Sequence, residues 1–467
     1  MNTTTLPPES GQTTTETSKP PLWHVGTLTY TSAGLVVLFF WLLWGDFAWS
    51  MRDRSIGNVI LILFKKFEAS DMLTGLLMSS LPSALGLLIG PIISYRSDRH
   101  RGRWGRRIPF LLIPTPIIVI SMMGLAISPK VGTFLFEHFG LQSFGLNPTI
   151  LVVLGVNWML FEFGCIIANS VFGALVNDVV PQAVLGRFFG MFRAISLIAG
   201  MIFNYWLIGR VETHYFEIFL GIAALYGGCL TIMCIKVKEG KYPPPPEPVE
   251  IPGAAGGFWL AVRTYFRECF GNPHYLWFFA MMAVSGLAIA PVNLFGIFYA
   301  KSIAMSMGMY GKCLAITYLI SLFMAYPVGA LVDRFHPIRV CLAALGLYGI
   351  CALWGGFYAR STFTFSLALI AHGVISGIYF TAVASMGQKL LPRSRFAQLS
   401  SACGIVIGIC SIIMAPALGM FLDYTGHNYH YTFFTAAIFS GLAVFTSAVM
   451  FHKFKACGGP DNYIAPE

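Results

Sequence analysis

The chain has 467 residues, of which 56% are hydrophobic and only 11% charged, and its net charge is +10. Soluble domains carry roughly 25% charged residues, so this composition cannot cover a water-facing surface. The apolar runs lack the period-two alternation of a membrane β-barrel, and lipid requires their backbone groups to be paired inside helices. The positive residues lie between the runs, where membrane topology accounts for them without a nucleic-acid partner.

In chain order, residues 1–30 read as a disordered polar tail, rich in Thr and Pro and without the basic start of a signal peptide. Each stretch of about 20 mostly apolar residues can cross the hydrocarbon core as a helix. Twelve such spans are expected, near 33–64, 72–95, 108–128, 149–176, 188–208 and 216–235, then 274–299, 311–332, 338–358, 363–388, 396–422 and 431–452. They fall into two six-helix units, 31–235 and 273–453, joined by a linker at 236–272 and followed by a tail at 454–467. The loops on the side of the N-terminus hold twenty Lys and Arg, the opposite loops hold seven, and Arg52, Arg54 and Arg193 fall within spans. That asymmetry predicts a multi-pass protein of the cell membrane with both termini cytoplasmic. Four consecutive prolines at 243–246 favour an extended linker, and 258–270 has the pattern of a short amphipathic helix on the membrane surface. The ten cysteines are scattered without a C-x-x-C pair, so neither a disulfide framework nor a metal site is expected.

Ionisable residues inside spans are costly and are site candidates by default. Span 1 carries Asp46, Asp53 and Arg54, with Asp46 and Asp53 about 20° apart around a helix. Either they form a polar stripe lining a watery cavity, or the span ends near Met51 and Arg52–Arg54 belong to an outer loop. Glu162 and Asn169 share a face of span 4, and Glu162 is either a proton carrier or a structural partner of Arg193. His372 in span 10 begins a run of small residues and reads as a buried structural histidine, with a proton relay as the alternative. No nucleophile-elbow, zinc-protease or P-loop pattern is present, so no enzyme activity and no cofactor are expected.

The two halves repeat each other. Ser94-Tyr-Arg-Ser-Asp98-Arg99 and Gly105-Arg106-Arg107 follow span 2, and Gly329-Ala-Leu-Val-Asp333-Arg334 follows span 8. Pro181 with Arg187-Phe188 after span 4 matches Pro392 with Arg395-Phe396 after span 10. Parallel repeats of this kind build transporters whose halves rock about a central site. These residues resemble the signature loop of the major facilitator superfamily, with Ser94 where a Gly is usual. The longer block from Gly90 to Phe110 is similar to the glycoside–pentoside–hexuronide:cation symporters and the sucrose transporters. The resemblance implies an all-α fold of twelve helices in two pseudo-symmetric bundles that moves a di- or oligosaccharide by alternating access. Asp98, Arg99, Gly105, Arg106, Arg107, Asp333 and Arg334 would then act as a conformational latch.

The resemblance also implies a site. Gly45-Asp46-Phe47-Ala48 looks like the segment that supplies a sugar ligand in helix 1, and Arg187-Phe-Phe-Gly-Met-Phe-Arg193 resembles the motif that supplies a helix 5 arginine. Asn169 stands where that family has a helix 4 aspartate. Trp41, Trp44 and Trp49 are candidates for stacking on a sugar ring. The acidic residues that the sodium-coupled members carry on helix 2 are absent from 85–90, so protons are the expected coupling ion, through Asp46, Asp53 or Glu162. A monomer in the bilayer is the expected working unit. A non-sugar solute, or a facilitator without ion coupling, is the alternative.

Overall fold

The computed structural model describes residues 22–242, 263–392 and 395–466. The expectations for residues 1–21 and for the four prolines lie outside these. Among the described residues, twelve helices cross the molecule. In the first half they are α1 (Ser32–Lys66), α2 (Asp71–Arg99), α3 (Ile108–His138), α4 (Leu146–Val179), α5 (Gln182–Ile202) and α6 (Val211–Lys236). In the second half they are α7 (Pro273–Ser302), α8 (Met307–Phe335), α9 (Pro337–Tyr358), α10 (Thr362–Val383), α11 (Phe396–Tyr424) and α12 (His430–Ala456). At about 1.5 Å per residue each is long enough for the hydrocarbon core, and several project beyond it.

α1 is continuous for 35 residues from its Thr31 cap, which decides between the two readings of 51–67: Arg52, Asp53 and Arg54 lie within the helix and not in an outer loop. One sequence expectation needs correction. Residues 23–30 are not an unstructured tail but an antiparallel hairpin, Trp23–Val25 paired with Leu28–Tyr30. The C-terminal end is also ordered: the Tyr463 hydroxyl donates to the Leu390 carbonyl at 2.9 Å and sits 2.9 Å from His274 Nε2. Residues 263–270 are helical, with Cys269 buried and Tyr265 bonded to the Gln398 carbonyl.

The helices pack as two bundles. In the first, α3 lies against α4 and α6, and α1 against α5 and α6; in the second, α12 lies against α7 and α9, and α10 against α8 and α9. The main seams between bundles run along α2 with α11 and α5 with α8. Both first-bundle seam helices carry a π-turn, at Leu76–Ser80 in α2 and at Phe203–Leu207 after α5. A π-turn frees backbone groups that lipid cannot satisfy, and here the Trp158 indole donates to the Leu77 carbonyl at 2.8 Å. The Ser80 hydroxyl donates across the seam to the Ile412 carbonyl at 2.7 Å.

Candidate functional site

The face that carries the basic loops and the opposite face are built differently. At the opposite face the bundles touch through backbone. A Cβ on Gly75 would lie 2.4 Å from the Ala415 carbonyl oxygen, and one on Gly419 would lie 2.3 Å from that of Asp71, so glycine is what lets α2 and α11 close. Asp423, near the end of α11, accepts from the backbone N–H groups of Asp71 and Met72 at 2.8 and 2.9 Å, capping the N-terminus of α2 from the other bundle. The fully buried Asp71 carboxylate is held by His427 at 2.8 Å and by the Tyr429 hydroxyl at 3.0 Å. Lys65 donates to Tyr429, and Lys301 pairs with Glu212 at 2.6 Å. Asp71, Asp423 and His427 offer ligand atoms within 4.8 Å of one another, but these atoms already hydrogen-bond within the seal. Toward the basic face, by contrast, the Leu81–Arg99 part of α2 buries only Ser97.

Between the bundles lies a cavity of about 490 Å³. From the first bundle it is lined by Asp53, Arg54 and Asn58 of α1 and Arg193 of α5; from the second by Asn293, Tyr310, Thr317, Tyr318, Ser321, His372 and Ser376, among others. Arg54 donates to the Ser196 hydroxyl at 3.1 and 3.3 Å and lies 5.4 Å from the centre of the Tyr318 ring. Arg193 donates to the Thr381 hydroxyl of α10 at 2.9 Å, joining the bundles across the cavity, while its Nε has no partner among the described residues. Two guanidinium groups, a carboxylate, amides and hydroxyls beside tyrosine rings are the groups that recognise a polyhydroxylated solute.

The structure brings together Asp53 and Arg193 of the expected set and separates the others. Asp46 is fully buried inside the first bundle, accepting from Ser50 at 3.3 Å with its second oxygen unpartnered among the described residues, so it does not line the cavity as a sugar ligand would. Its helix turns there toward α6, where Gly45 lies against Met233. Asn169 is exposed but lies outside the cavity wall. Glu162 is not paired with Arg193; it lies within electrostatic reach of Arg52 and Asp53. The Arg52 guanidinium is buried 4.6 Å from the Trp49 ring centre and 5.3 Å from that of Tyr226. Trp49 itself stacks on Phe172, and neither it nor Trp41 or Trp44 lines the cavity. His372 is buried, as expected, but at the cavity wall.

The signature loop closes within the first bundle. Arg107 pairs with Asp98 and donates to Ser97, and both Arg106 and Arg107 pair with Asp178 at the end of α4, at 2.7 and 3.1 Å. Glu239 accepts from the backbone of Arg106, Arg107 and Ile108 at 2.7–2.9 Å. Gly105, at φ +99°, has no room for a Cβ, which would lie 2.5 Å from that carboxylate. Tyr242 donates to Glu239 at 2.8 Å; burial and the neighbouring carboxylates raise its pKa, which keeps the donor proton in place. Arg99 lies over the Tyr95 ring at 4.0 Å. Asp333 and Arg334 are exposed, and no described carboxylate pairs with Arg334. The expected latch between halves is therefore, in this conformation, a clasp that ties α2, α3, α4 and α6 of one bundle. Nearby His336 stays neutral, because burial and then Lys389 and Arg339 push it down to about 4.

Arg54 was flagged from the sequence only as part of the span 1 stripe, and Asn293 and the second-bundle hydroxyls were not singled out. Asn293 was legible in principle, as a lone amide inside an apolar span.

Comparison with known proteins agrees with this architecture. A curated relative, the general alpha-glucoside permease of Schizosaccharomyces pombe, is 24% identical over 199 residues, which is 40% of this chain and spans 36% of the relative's length. Among solved structures, a D-xylose–proton symporter superposes with a TM-score of 0.65 at 13% identity, covering 88% of this chain and 97% of that one. The inward-open xylose transporter of E. coli gives 0.63 at 11% identity over 89% and 95%. A bacterial homologue of the human lysosomal transporter Spinster gives 0.61 at 14% identity over 93% and 99%. The family model described as MFS/sugar transport protein matches residues 70–391, and the chain belongs to that family.

Proposed function

We propose that this chain is a secondary transporter that carries a di- or oligosaccharide, coupled to protons, and that the structure is its inward-facing state. The observation that carries the reading is the cavity at the bundle interface, with Asp53, Arg54 and Arg193 on one wall and Asn293 with hydroxyls on the other, closed at the opposite face by Asp71, Asp423 and His427. The excess of Lys and Arg on the face that holds both chain ends supports a cytoplasmic assignment for that face in the cell membrane. The clasp built on Asp98, Arg106, Arg107 and Asp178 keeps the first bundle rigid while the two six-helix units, 31–235 and 273–453, rock about the cavity through the linker 236–272. One chain holds the complete cavity, which supports a working monomer. Asp53 is the proton carrier best placed, being exposed on the cavity wall, with Glu162 behind it. The alpha-glucoside relative supports an α-linked glucoside as the substrate.

An anionic solute is the second reading, because two guanidinium groups face one carboxylate in the cavity. The test is uptake of labelled maltose into proteoliposomes holding the purified chain. Accumulation above equilibrium under a proton gradient, lost on collapsing the gradient and unaffected by sodium, is the expected result. Equilibration without accumulation would make the protein a facilitator. Indifference to maltose with uptake of a sugar phosphate or carboxylate would replace the substrate class.

A further inference from the structure

Tyr348 of α9, His372 of α10 and Asn293 of α7 form a hydrogen-bond chain that ends at the cavity. The Tyr348 hydroxyl lies 2.9 Å from His372 Nδ1, and His372 Nε2 lies 3.0 Å from Asn293 Oδ1. Tyr348 and His372 are buried, while Asn293 is exposed on the cavity wall. Among the described residues, Tyr348 has no other hydrogen-bond partner. A buried hydroxyl left without an acceptor for its proton costs more than one left with a spare lone pair. Tyr348 therefore donates to Nδ1, the imidazole carries its proton on Nε2, and that N–H donates to the Asn293 carbonyl oxygen. With its oxygen taken, the Asn293 amide has only its NH₂ to offer the cavity.

We infer that this chain polarises the second bundle's contribution to recognition: Asn293 is a substrate-contacting donor to an acceptor oxygen of the ligand, and Tyr348 and His372 are the residues that position it. The surrounding wall agrees. The Thr317 and Ser376 hydroxyls donate to the carbonyls of their own helix, at Cys313 and Gly373, both at 3.0 Å, so they present lone pairs to the cavity. Asn293 is the one side-chain amide that the described second-bundle residues place on the wall. A sugar oxygen at Asn293 must then accept, and one at Thr317 or Ser376 must donate.

This inference rests on the sugar-transport reading for its substrate, so the experiment has two arms. In the first, monodeoxy and monodeoxy-fluoro maltoses compete with labelled maltose in proteoliposomes. Fluorine accepts a hydrogen bond but cannot donate one. For wild type, one ring position is expected at which the fluoro analogue keeps most of its affinity and the deoxy analogue loses about ten-fold. Asn293→Asp turns the donor into an acceptor, so at that position the fluoro analogue should fall to the level of the deoxy one. Tyr348→Phe frees the histidine tautomer and should shrink the fluoro-over-deoxy preference while the melting temperature in detergent stays near wild type. A preference unchanged in both variants would overturn the inference. In the second arm, ¹⁵N chemical shifts of His372 in histidine-labelled full-length protein report the tautomer without any ligand. A bare Nδ1 and a protonated Nε2 are expected, and a protonated Nδ1 would refute the chain. If maltose is not carried, the sugar reading falls while the tautomer still decides the inference.

Discussion

Asp423→Ala is expected to loosen the opposite-face seal and shift the protein toward its other state. The carboxylate accepts two backbone N–H groups at the start of α2, 2.8 and 2.9 Å away, and lies 3.7 Å from His427. A capping carboxylate is worth roughly 0.5–2 kcal/mol, and its charge at a helix N-terminus adds about 0.3–1 kcal/mol. The side chain is 26% exposed, so solvent screening trims the electrostatic part and about 1–2 kcal/mol remains. Because the bonds join the two bundles, nearly all of it is lost when the seal opens, which corresponds to a shift of about 5- to 30-fold in the closed-to-open ratio. Hydrogen exchange by mass spectrometry measures this directly. Peptides covering 71–80 and 415–425 should exchange faster by that factor, while peptides of the Asp98–Arg107 clasp should not change. Asp423→Asn, which keeps one acceptor, should fall between. Uniform acceleration across the first bundle, or none at the seal, would refute the assignment of this contact as the gate.

Arg193→Lys should weaken maltose binding about ten-fold with normal insertion, since a point charge cannot hold Thr381 and a ligand oxygen with one planar fork; tryptophan quenching on purified protein would check it. Asp53→Asn should abolish accumulation under a proton gradient while leaving sugar exchange between equal concentrations intact, as counterflow in proteoliposomes would show. Loss of both would make Asp53 a binding residue alone. Asp46→Asn should leave affinity within about two-fold, because the side chain is buried away from the cavity. A sharp loss of affinity at unchanged stability would restore Asp46 to the site.

What could be read from the amino-acid order alone was whatever the bilayer dictates locally. Apolar length set twelve helices, loop charge set their expected orientation, and the repeated Asp-Arg motifs revealed two bundles. Each is a property of contiguous residues acting against lipid and water, with no need to know which helix neighbours which. The cost of burying charge likewise marked α1 as functional, and two of its flagged charges, Asp53 and Arg54, do face the cavity. The same rule could not rank them. Asp46 and Asp53 differ by about 20° on a helical wheel but by roughly two turns along the axis, and only the packing of α6 against α1 buries the first and leaves the second at the cavity. The second wall was beyond reach for a related reason: Asn293, His372 and Tyr348 lie on three helices, and an amide becomes a directed donor only when a histidine 79 residues away takes its oxygen. The clasp shows the same limit. Arg106 and Arg107 were evident as a motif, but their partner Asp178 is more than 70 residues on, and tertiary packing alone made it an intrabundle tie. Local solvation is written into neighbouring residues, whereas the partner of a buried polar group is decided by which helices the fold sets side by side.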